Sequence, residues 1–144
     1  NLYSDWYKYK LIKDIIINIM SFKLSTKRIL DRELCYRLWA KEGKSIYDIP
    51  KILREMGILN PSGKSITPQG VWRAASLYML QHIDEVKADT VSKLSQEGRV
   101  FDLEAEEELY RELTAKAKQH LSKKRYREWI MKNPKFKHYE AVKD

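Results

Sequence analysis

The sequence predicts an all-α protein, in which a helix-turn-helix core of three helices is followed by additional C-terminal helices. Apolar residues recur at spacings of three and four along most of the chain, which is the period of an amphipathic helix. Residues that cap helices stand immediately before several of these segments. Apolar residues make up 43% of the 144 positions, which is enough to build a packed core.

The N-terminal segment, residues 1–22, has two interpretations. Leu2, Trp6 and the cluster from Ile15 to Ile19 fit an amphipathic helix that packs on the body or on a second copy. Alternatively, the segment is a non-native extension upstream of a start at Met20, because AT-rich codons produce its bias toward Asn, Tyr, Lys and Ile. The isoleucine block is too short for a membrane helix, and the pattern fits neither a signal sequence nor a transit peptide.

The helix-turn-helix domain is predicted to span residues 23–81. Its first helix begins after Asp31, which has the position of an N-cap, and runs to about Lys41. Arg32 and Arg37 lie where they could touch phosphates, although such a residue is more often just a solvated charge. Cys35 lies among leucines in this helical pattern, so we interpret it as a small buried hydrophobe. Because it is the only cysteine, no intramolecular disulfide forms, and we expect a reducing, cytoplasmic location.

The second helix of the domain begins with Ser45 as its predicted N-cap. Isoleucine and leucine residues follow at spacings of three and four, so that one stripe is apolar. Gly57 ends the helix, because Gly readily adopts the left-handed conformation found there. Pro50 lies inside this segment, and we expect a slight distortion because Pro lacks the backbone donor that the helix would use.

The third helix has the clearest start in the chain, with Thr67 as N-cap and Pro68 at the first helical position. It is predicted to run to Leu80 as a recognition helix. On a helical wheel, small and apolar residues such as Val71 and Ala75 share the face expected to pack on the preceding helix. The opposite face carries the predicted base-reading residues, whose side chains can contact base edges: Gln69, Trp72, Arg73 and Ser76.

Positive charge is expected to supply contacts with DNA phosphates. The formal net charge is +8, which favours polyanionic partners. Most of this excess lies from Ala115 onwards, where ten Lys or Arg residues stand against three acidic ones. The predicted phosphate contacts are Lys51, Arg54, Lys64, Thr67, Lys123, Lys124 and Arg125.

A combination of motifs runs from Arg37 to Ala75. It comprises Gly-x-Ser before an Ile-containing helix, Leu-x-x-x-Gly-Ile, a Pro-x-Gly turn and a Thr-x-x-x-Val helix start, carried by Gly43, Ser45, Ile49, Leu53, Gly57, Ile58, Pro61, Gly63, Thr67 and Val71. In this combination the segment resembles the helix-turn-helix region of the recombinase domain in large serine recombinases. The resemblance covers about a quarter of the chain, which lacks the catalytic serine domain of that family. It implies DNA binding without strand exchange.

The C-terminal region, residues 82–144, is predicted to be helical and to serve oligomerisation or partner binding. One helix ends at Gly98, a second begins after Asp102, and a short third helix lies between the Ser122 cap and Asn133-Pro134. Aromatic residues of the tail either stack on bases or anchor the tail on the body: Tyr126, Trp129, Phe136 and Tyr139.

No catalytic motif is recognisable, and we predict neither an enzyme nor a cofactor. Glu104, Glu108 and Glu112 share one helical face and leave a metal-dependent nuclease as a less favoured alternative, although a solvated face explains them more simply. We therefore predict a sequence-specific binder of double-stranded DNA that forms homo-oligomers, has no membrane span, and acts as a regulator or as a phage or mobile-element recombination or packaging accessory. The alternative is a helical adaptor that binds proteins instead of DNA.

Overall fold

The computed structural model describes residues 2–21, 30–58, 60 and 63–140. These residues form helices and turns with no β-strand among them, which confirms the all-α prediction. The helices are α1 (Leu2–Ser21), α2 (Arg32–Tyr36), α3 (Ile49–Glu55), α4 (Pro68–Gln81), α5 (Ile83–Gln96), α6 (Leu103–His120) and α7 (Lys123–Lys132). A π-helical turn, Arg37–Lys41, continues α2, and a 3-10 helix, Pro134–Tyr139, follows α7.

Helix α4 lies at the centre of the fold. Helices α2, α3, α5 and α6 all pack against it. Every residue from Ala74 to Leu80 is buried, whichever side of the helix it occupies, whereas Gln69 and Arg73 near the start are exposed. The exposed residues of α4 are therefore Gln69 and Arg73 in its N-terminal turns and Gln81 at its last position.

One hydrophobic core contains residues from both predicted regions, residues 23–81 and 82–144. The core extends from Leu34 on α2 to Phe136 on the 3-10 helix. The indole Nε1 of Trp129 on α7 donates a hydrogen bond of 2.9 Å to the Leu80 carbonyl at the end of α4. The predicted boundary does coincide with a break between α4 and α5, at His82, but the C-terminal helices on its far side cover α4.

Helix starts follow the predicted capping residues. The side chains of Asp31, Thr67, Asp102 and Ser122 each accept a hydrogen bond of 2.9 to 3.3 Å from the backbone N–H three residues later. Each bond satisfies a donor that the first helical turn leaves without an intrahelical partner. These start predictions are therefore confirmed.

Helix α3 begins later than the sequence predicts. Ser45 caps a turn instead of a helix, because its Oγ accepts a hydrogen bond from the Tyr47 N–H at 3.0 Å and α3 starts only at Ile49. Pro50 therefore occupies the first helical turn, where a missing backbone donor costs nothing. The expected distortion at Pro50 was wrong for this reason.

Gly57 ends α3 as predicted, with a positive φ of 78°. Its N–H donates to the Arg54 carbonyl at 3.0 Å, and the N–H of Ile58 donates to the Leu53 carbonyl at 2.9 Å. These two bonds satisfy carbonyls of the last turn in the Schellman arrangement. Pro61 of the predicted turn after α3 lies outside the described residues.

Helix α1 packs on α2 and on the π-helical turn through polar and aromatic contacts. The Lys10 ammonium lies 3.4 Å from a carboxylate oxygen of Asp31, and the Arg37 guanidinium lies over the Trp6 ring, 4.7 Å from its centroid. This arrangement corresponds to the interpretation of α1 as a helix that packs on the body. The side chains of the Ile15–Ile19 cluster lie outside the part of the chain that the structure describes.

Candidate nucleic-acid interface

Two of the predicted base-reading residues are exposed near the start of α4. Gln69 lies in the first turn, and Arg73 follows four residues later, so both project from the same side of the helix. The first turn also contains Thr67 as its cap, and the Thr67 Oγ1 is occupied by the N–H of Gly70 at 3.0 Å. The side chains of Gln69 and Arg73 at this end of α4 are therefore open to solvent.

The other two predicted base readers do not lie on a free face. Ser76 is 0% exposed, and its hydroxyl has no hydrogen-bond partner among the described residues. The half-buried Trp72 ring meets the Trp39 ring edge to face at a centroid distance of 5.2 Å, and the Lys116 ammonium covers it at 3.5 Å. Lys116 belongs to α6, so a helix beyond the predicted three-helix core covers this side of α4. The predicted outward placement of Ser76 and Trp72 was therefore wrong.

Three arginines come from different helices that pack around α4. Arg32 and Arg125 line one cavity beside Leu77, Leu80 and Gln81, toward the C-terminal end of α4, whereas Arg73 lies one turn before Leu77. Burial lowers the pKa of Arg32 on α2, and the positive charges of Arg125 on α7 and Arg73 on α4 lower it further. A nitrogen of the Arg73 guanidinium also donates to the His120 carbonyl at the end of α6, at 3.4 Å. We call Arg32, Arg73 and Arg125 the arginine cluster. Within the described ranges, none of its members forms an ion pair with a carboxylate.

Two nitrogen atoms at the arginine cluster are buried without hydrogen-bond partners in the part of the chain described. One is Nε of Arg32, and the other is Nε2 of His120. Burial, followed by the charges of Arg73 and Lys116, lowers the pKa of His120, so its ring is neutral at neutral pH. A buried donor without an acceptor costs about 1 to 3 kcal/mol.

The first turn of α7 adds positive charge at its start. Lys123, Lys124 and Arg125 follow the Ser122 cap, all three are exposed, and that turn contains no acidic residue. The N-terminus of a helix already carries a partial positive charge, so each cation there is unfavourable by about 0.3 to 1 kcal/mol. With a polyanion bound nearby, these same cations would contribute favourably to the free energy.

The remaining predicted phosphate contacts are dispersed. Lys51 and Arg54 are exposed on α3, and Lys64 is exposed in the turn before α4. Among the described residues, no hydrogen bond or ion pair joins these three side chains to the arginine cluster. Arg32, which the sequence left as an ordinary charge, takes the central place instead. The sequence feature that could have singled out Arg32 is a positive charge directly after a helix cap, a position where acidic residues are favoured.

The aromatic residues of the tail anchor it to the body. Phe136 is fully buried, and its ring stacks on Trp129 with 4.8 Å between centroids. Tyr139 meets Tyr110 of α6 edge to face at 5.9 Å. Of the two roles predicted for these residues, the structure therefore favours anchoring over base stacking for Trp129 and Phe136.

Other candidate chemistry is not assembled into a site in the described ranges. Glu104 and Glu108 are exposed on α6, and Glu112 pairs with Lys116 at 3.6 Å. No group of three or more His, Cys, Asp or Glu residues in this part of the chain has the arrangement of a metal site. Cys35 is fully buried, and burial raises its pKa to about 12, so its thiol stays protonated as a buried hydrophobe.

No protein-family model, curated protein or solved structure matches the chain. The resemblance of residues 37–75 to the recombinase domain of large serine recombinases stays a prediction. None of the described helices has the length and apolar character needed to cross a membrane. The functional conclusion below therefore depends on the geometry and charge of the site.

Proposed function

We propose that the protein binds double-stranded DNA through the arginine cluster and the exposed N-terminal turns of α4. The observation that carries this proposal is that the positive charges of Arg125 and Arg73 both act on Arg32, while none of the three forms an ion pair with a carboxylate within the described ranges. Adjacent like charges repel, so a ligand of opposite charge stabilises the arrangement. Guanidinium groups suit phosphate because they present a planar fork of donors to two oxygens at once.

The proposed contacts near the exposed end of α4 have two roles, base reading and phosphate binding. We assign base reading to Gln69, because an amide can pair with the edge of adenine and the first residues of a recognition helix make such contacts. Arg73 is assigned to a phosphate, since it lies in the arginine cluster and is already held by the His120 carbonyl. Lys123 and Lys124 flank the cluster and extend the phosphate contacts.

Packing also restricts the direction from which a duplex can approach. Helix α6 covers the Trp72 side of α4, and the residues from Ala74 to Leu80 are buried. The duplex would therefore meet α4 at its N-terminal end instead of along its length. We retain the setting suggested by the sequence, a homo-oligomeric regulator or recombination or packaging accessory of a phage or mobile element in a reducing cytoplasm.

A salt titration of duplex binding tests the phosphate contacts. The logarithm of the association constant falls linearly with the logarithm of salt concentration, with a slope of about −0.9 per neutralised phosphate. Arg73→Ala should weaken binding to all sequences and make this slope less steep by about 0.9. Fluorescence anisotropy with a labelled duplex measures both quantities.

Arg99→Ala is the matched control for Arg73→Ala, because it removes the same charge elsewhere. Arg99 is 65% exposed in the turn before α6, whereas His120 stands at the other end of that helix, about 25 Å away along its axis. The control should leave the slope unchanged. An unchanged slope in Arg73→Ala would exclude its phosphate contact, and a loss of sequence preference alone would return Arg73 to base reading. Absence of duplex binding at low salt would favour a protein-interaction adaptor.

A further inference from the structure

We infer that the cavity lined by Arg32 and Arg125 binds a small apolar zwitterion, a molecule with an ammonium group and a carboxylate on an apolar body. Free apolar amino acids and short apolar peptides share this chemistry. The inference is independent of the proposed DNA binding and assigns a ligand class to a second site. Its basis is that side chains of both charges and an apolar wall surround one cavity, while most of the charged groups have no ion-pair partner in the described ranges.

The cavity has the size and the apolar wall of a small-molecule site. It measures about 860 Å³ and lies, open to solvent, between α4, the first turn of α5 and α7. Pockets for small ligands commonly measure about 300 to 1,000 Å³ and combine apolar walls with a few polar groups. The apolar side chains of its wall are Leu77, Leu80, Ile83, Leu121 and Trp129. The bond from the Trp129 indole to the Leu80 carbonyl holds α7 on α4 at this wall.

Charged side chains of both signs line the rest of the cavity. Its cations are Arg32, Arg125, Lys132 and Lys135, and its carboxylates are Asp84, Glu85 and Glu128. Glu85 already pairs with the Lys41 ammonium at 3.2 Å, and Lys135 donates to the Tyr110 hydroxyl at 3.4 Å. Within the described ranges, the other charged groups of the cavity form no ion pair, either with one another or elsewhere. They therefore remain available to a ligand.

The available charges of opposite sign come from different helices. Asp84 is exposed in the first turn of α5, whereas Arg125 and Lys132 are exposed two turns apart on α7. Glu128 lies between these two cations on α7, at the helical spacings of three and four residues at which side chains are neighbours. Asp84 has no such cation in the first turn of α5, so it is the carboxylate most in need of a positive partner.

This mixture of charges favours a ligand that carries both signs. A simple anion would be attracted by Arg125 and Lys132 but repelled by Asp84, and a simple cation would meet the reverse. A zwitterion can direct its ammonium toward Asp84 and its carboxylate toward Lys132, which gives a charge-assisted hydrogen bond at each end. Its apolar body would then cover the leucines of the wall, which adds the free energy of apolar burial.

Isothermal titration calorimetry on the full chain tests the need for both charges. The probes are leucine and leucyl-leucine, each also in an N-acetylated form without the ammonium and in a C-terminally amidated form without the carboxylate. We expect the tighter of the two zwitterions to bind about tenfold more tightly than either of its blocked forms, because each block removes one charge-assisted hydrogen bond. Whether leucine or leucyl-leucine binds more tightly shows if the site takes an amino acid or a peptide.

Two variants assign the ends of the ligand to the two helices. Asp84→Asn should weaken the zwitterion about tenfold and leave the N-acetylated form unchanged, because that form has no ammonium to lose a partner. Lys132→Gln should weaken the zwitterion more than the amidated form. Both side chains are exposed, so the fold should persist, and neither belongs to the arginine cluster. The controls Glu104→Gln and Lys93→Gln remove exposed charges outside the cavity and should change nothing.

Equal affinity of the zwitterions and their blocked forms would overturn the inference, and so would absence of binding of every probe at millimolar concentration. An equal loss in Asp84→Asn and Glu104→Gln would attribute the effect to net charge and would also overturn it. The salt titration of duplex binding is a separate measurement. Failure of the zwitterion site would therefore leave the proposed DNA binding in place, and failure of duplex binding would leave the zwitterion site in place.

Discussion

Replacement of Ser76 by Ala is expected to stabilise the protein, although the sequence places Ser76 among the base readers. Ser76 is 0% exposed on α4, and its hydroxyl has no hydrogen-bond partner in the described part of the chain. A buried hydroxyl without a partner costs about 1 to 3 kcal/mol. Ala is also a better helix former than Ser, by about 0.5 kcal/mol. The small cavity left by the oxygen offsets part of this gain.

We therefore expect Ser76→Ala to raise the free energy of unfolding by about 1 to 2 kcal/mol. For a domain of this size, that corresponds to a rise in Tm of about 3 to 6 °C. Urea denaturation followed by circular dichroism measures the free energy, and duplex affinity is measured well below the transition. Affinity and sequence preference should both stay at the wild-type values.

Thr114→Val is the matched control, because Thr114 is a buried hydroxyl that does have a partner. Its Oγ1 donates to the Tyr110 carbonyl at 2.8 Å, and Val keeps its shape without the donor. The free energy of unfolding should fall by about 1 kcal/mol, opposite in sign to the change at Ser76. If Ser76→Ala also destabilised the protein, the hydroxyl would have a partner. If it lowered sequence preference, the side chain would reach DNA.

Two further predictions concern the outer helices. Trp129→Phe removes the bond to the Leu80 carbonyl and should lower the free energy of unfolding by about 1 to 3 kcal/mol without changing duplex affinity; lost affinity at unchanged stability would indicate base stacking. Burial, and then the hydrogen bond and charge of Asp31, raise the pKa of Asp14 from 3.8 to about 6. Its protonated form therefore stabilises α1 docking fully below 3.8, and this contribution is lost as pH rises through 6. Asp14→Asn should have a higher Tm than wild type at neutral pH and a similar Tm near pH 4; parallel pH profiles would contradict this.

The capped helix boundaries were predictable from the sequence because a cap is a local interaction. Thr67, Asp102 and Ser122 bond to N–H groups three residues away, so a short window contains both partners. At Ser45 the capping residue predicted a helix start that is too early. Serine caps isolated turns as well as helices, so its presence alone does not show which of the two follows. Only the position of Pro50 in the first turn distinguishes the two cases.

The surface of α4 was not predictable in the same way. A helical wheel divides a helix into one buried and one exposed face, which holds when neighbours pack on one side only. Helix α6 also packs on α4 and brings Lys116 over Trp72, and this contact joins residues far apart in the sequence. Ser76 and Trp72 each combine polar and apolar atoms, so they suit either a buried or an exposed position. Their burial depends on the position of α6, which the helical pattern does not predict.

The C-terminal helices both restrict α4 and complete the proposed site. Together with α2 they bury the residues from Ala74 to Leu80, and they also bring the His120 carbonyl to Arg73 and Arg125 to the cavity that Arg32 lines. Neither Arg32 nor Arg73 alone would distinguish this part of the protein from an ordinary basic surface. Because the charge that favours a phosphate depends on α6 and α7, the three-helix core predicted from the sequence is not separable from the region after Gln81. The proposed sequence choice at Gln69 and the proposed affinity at the arginine cluster therefore depend on one continuous core.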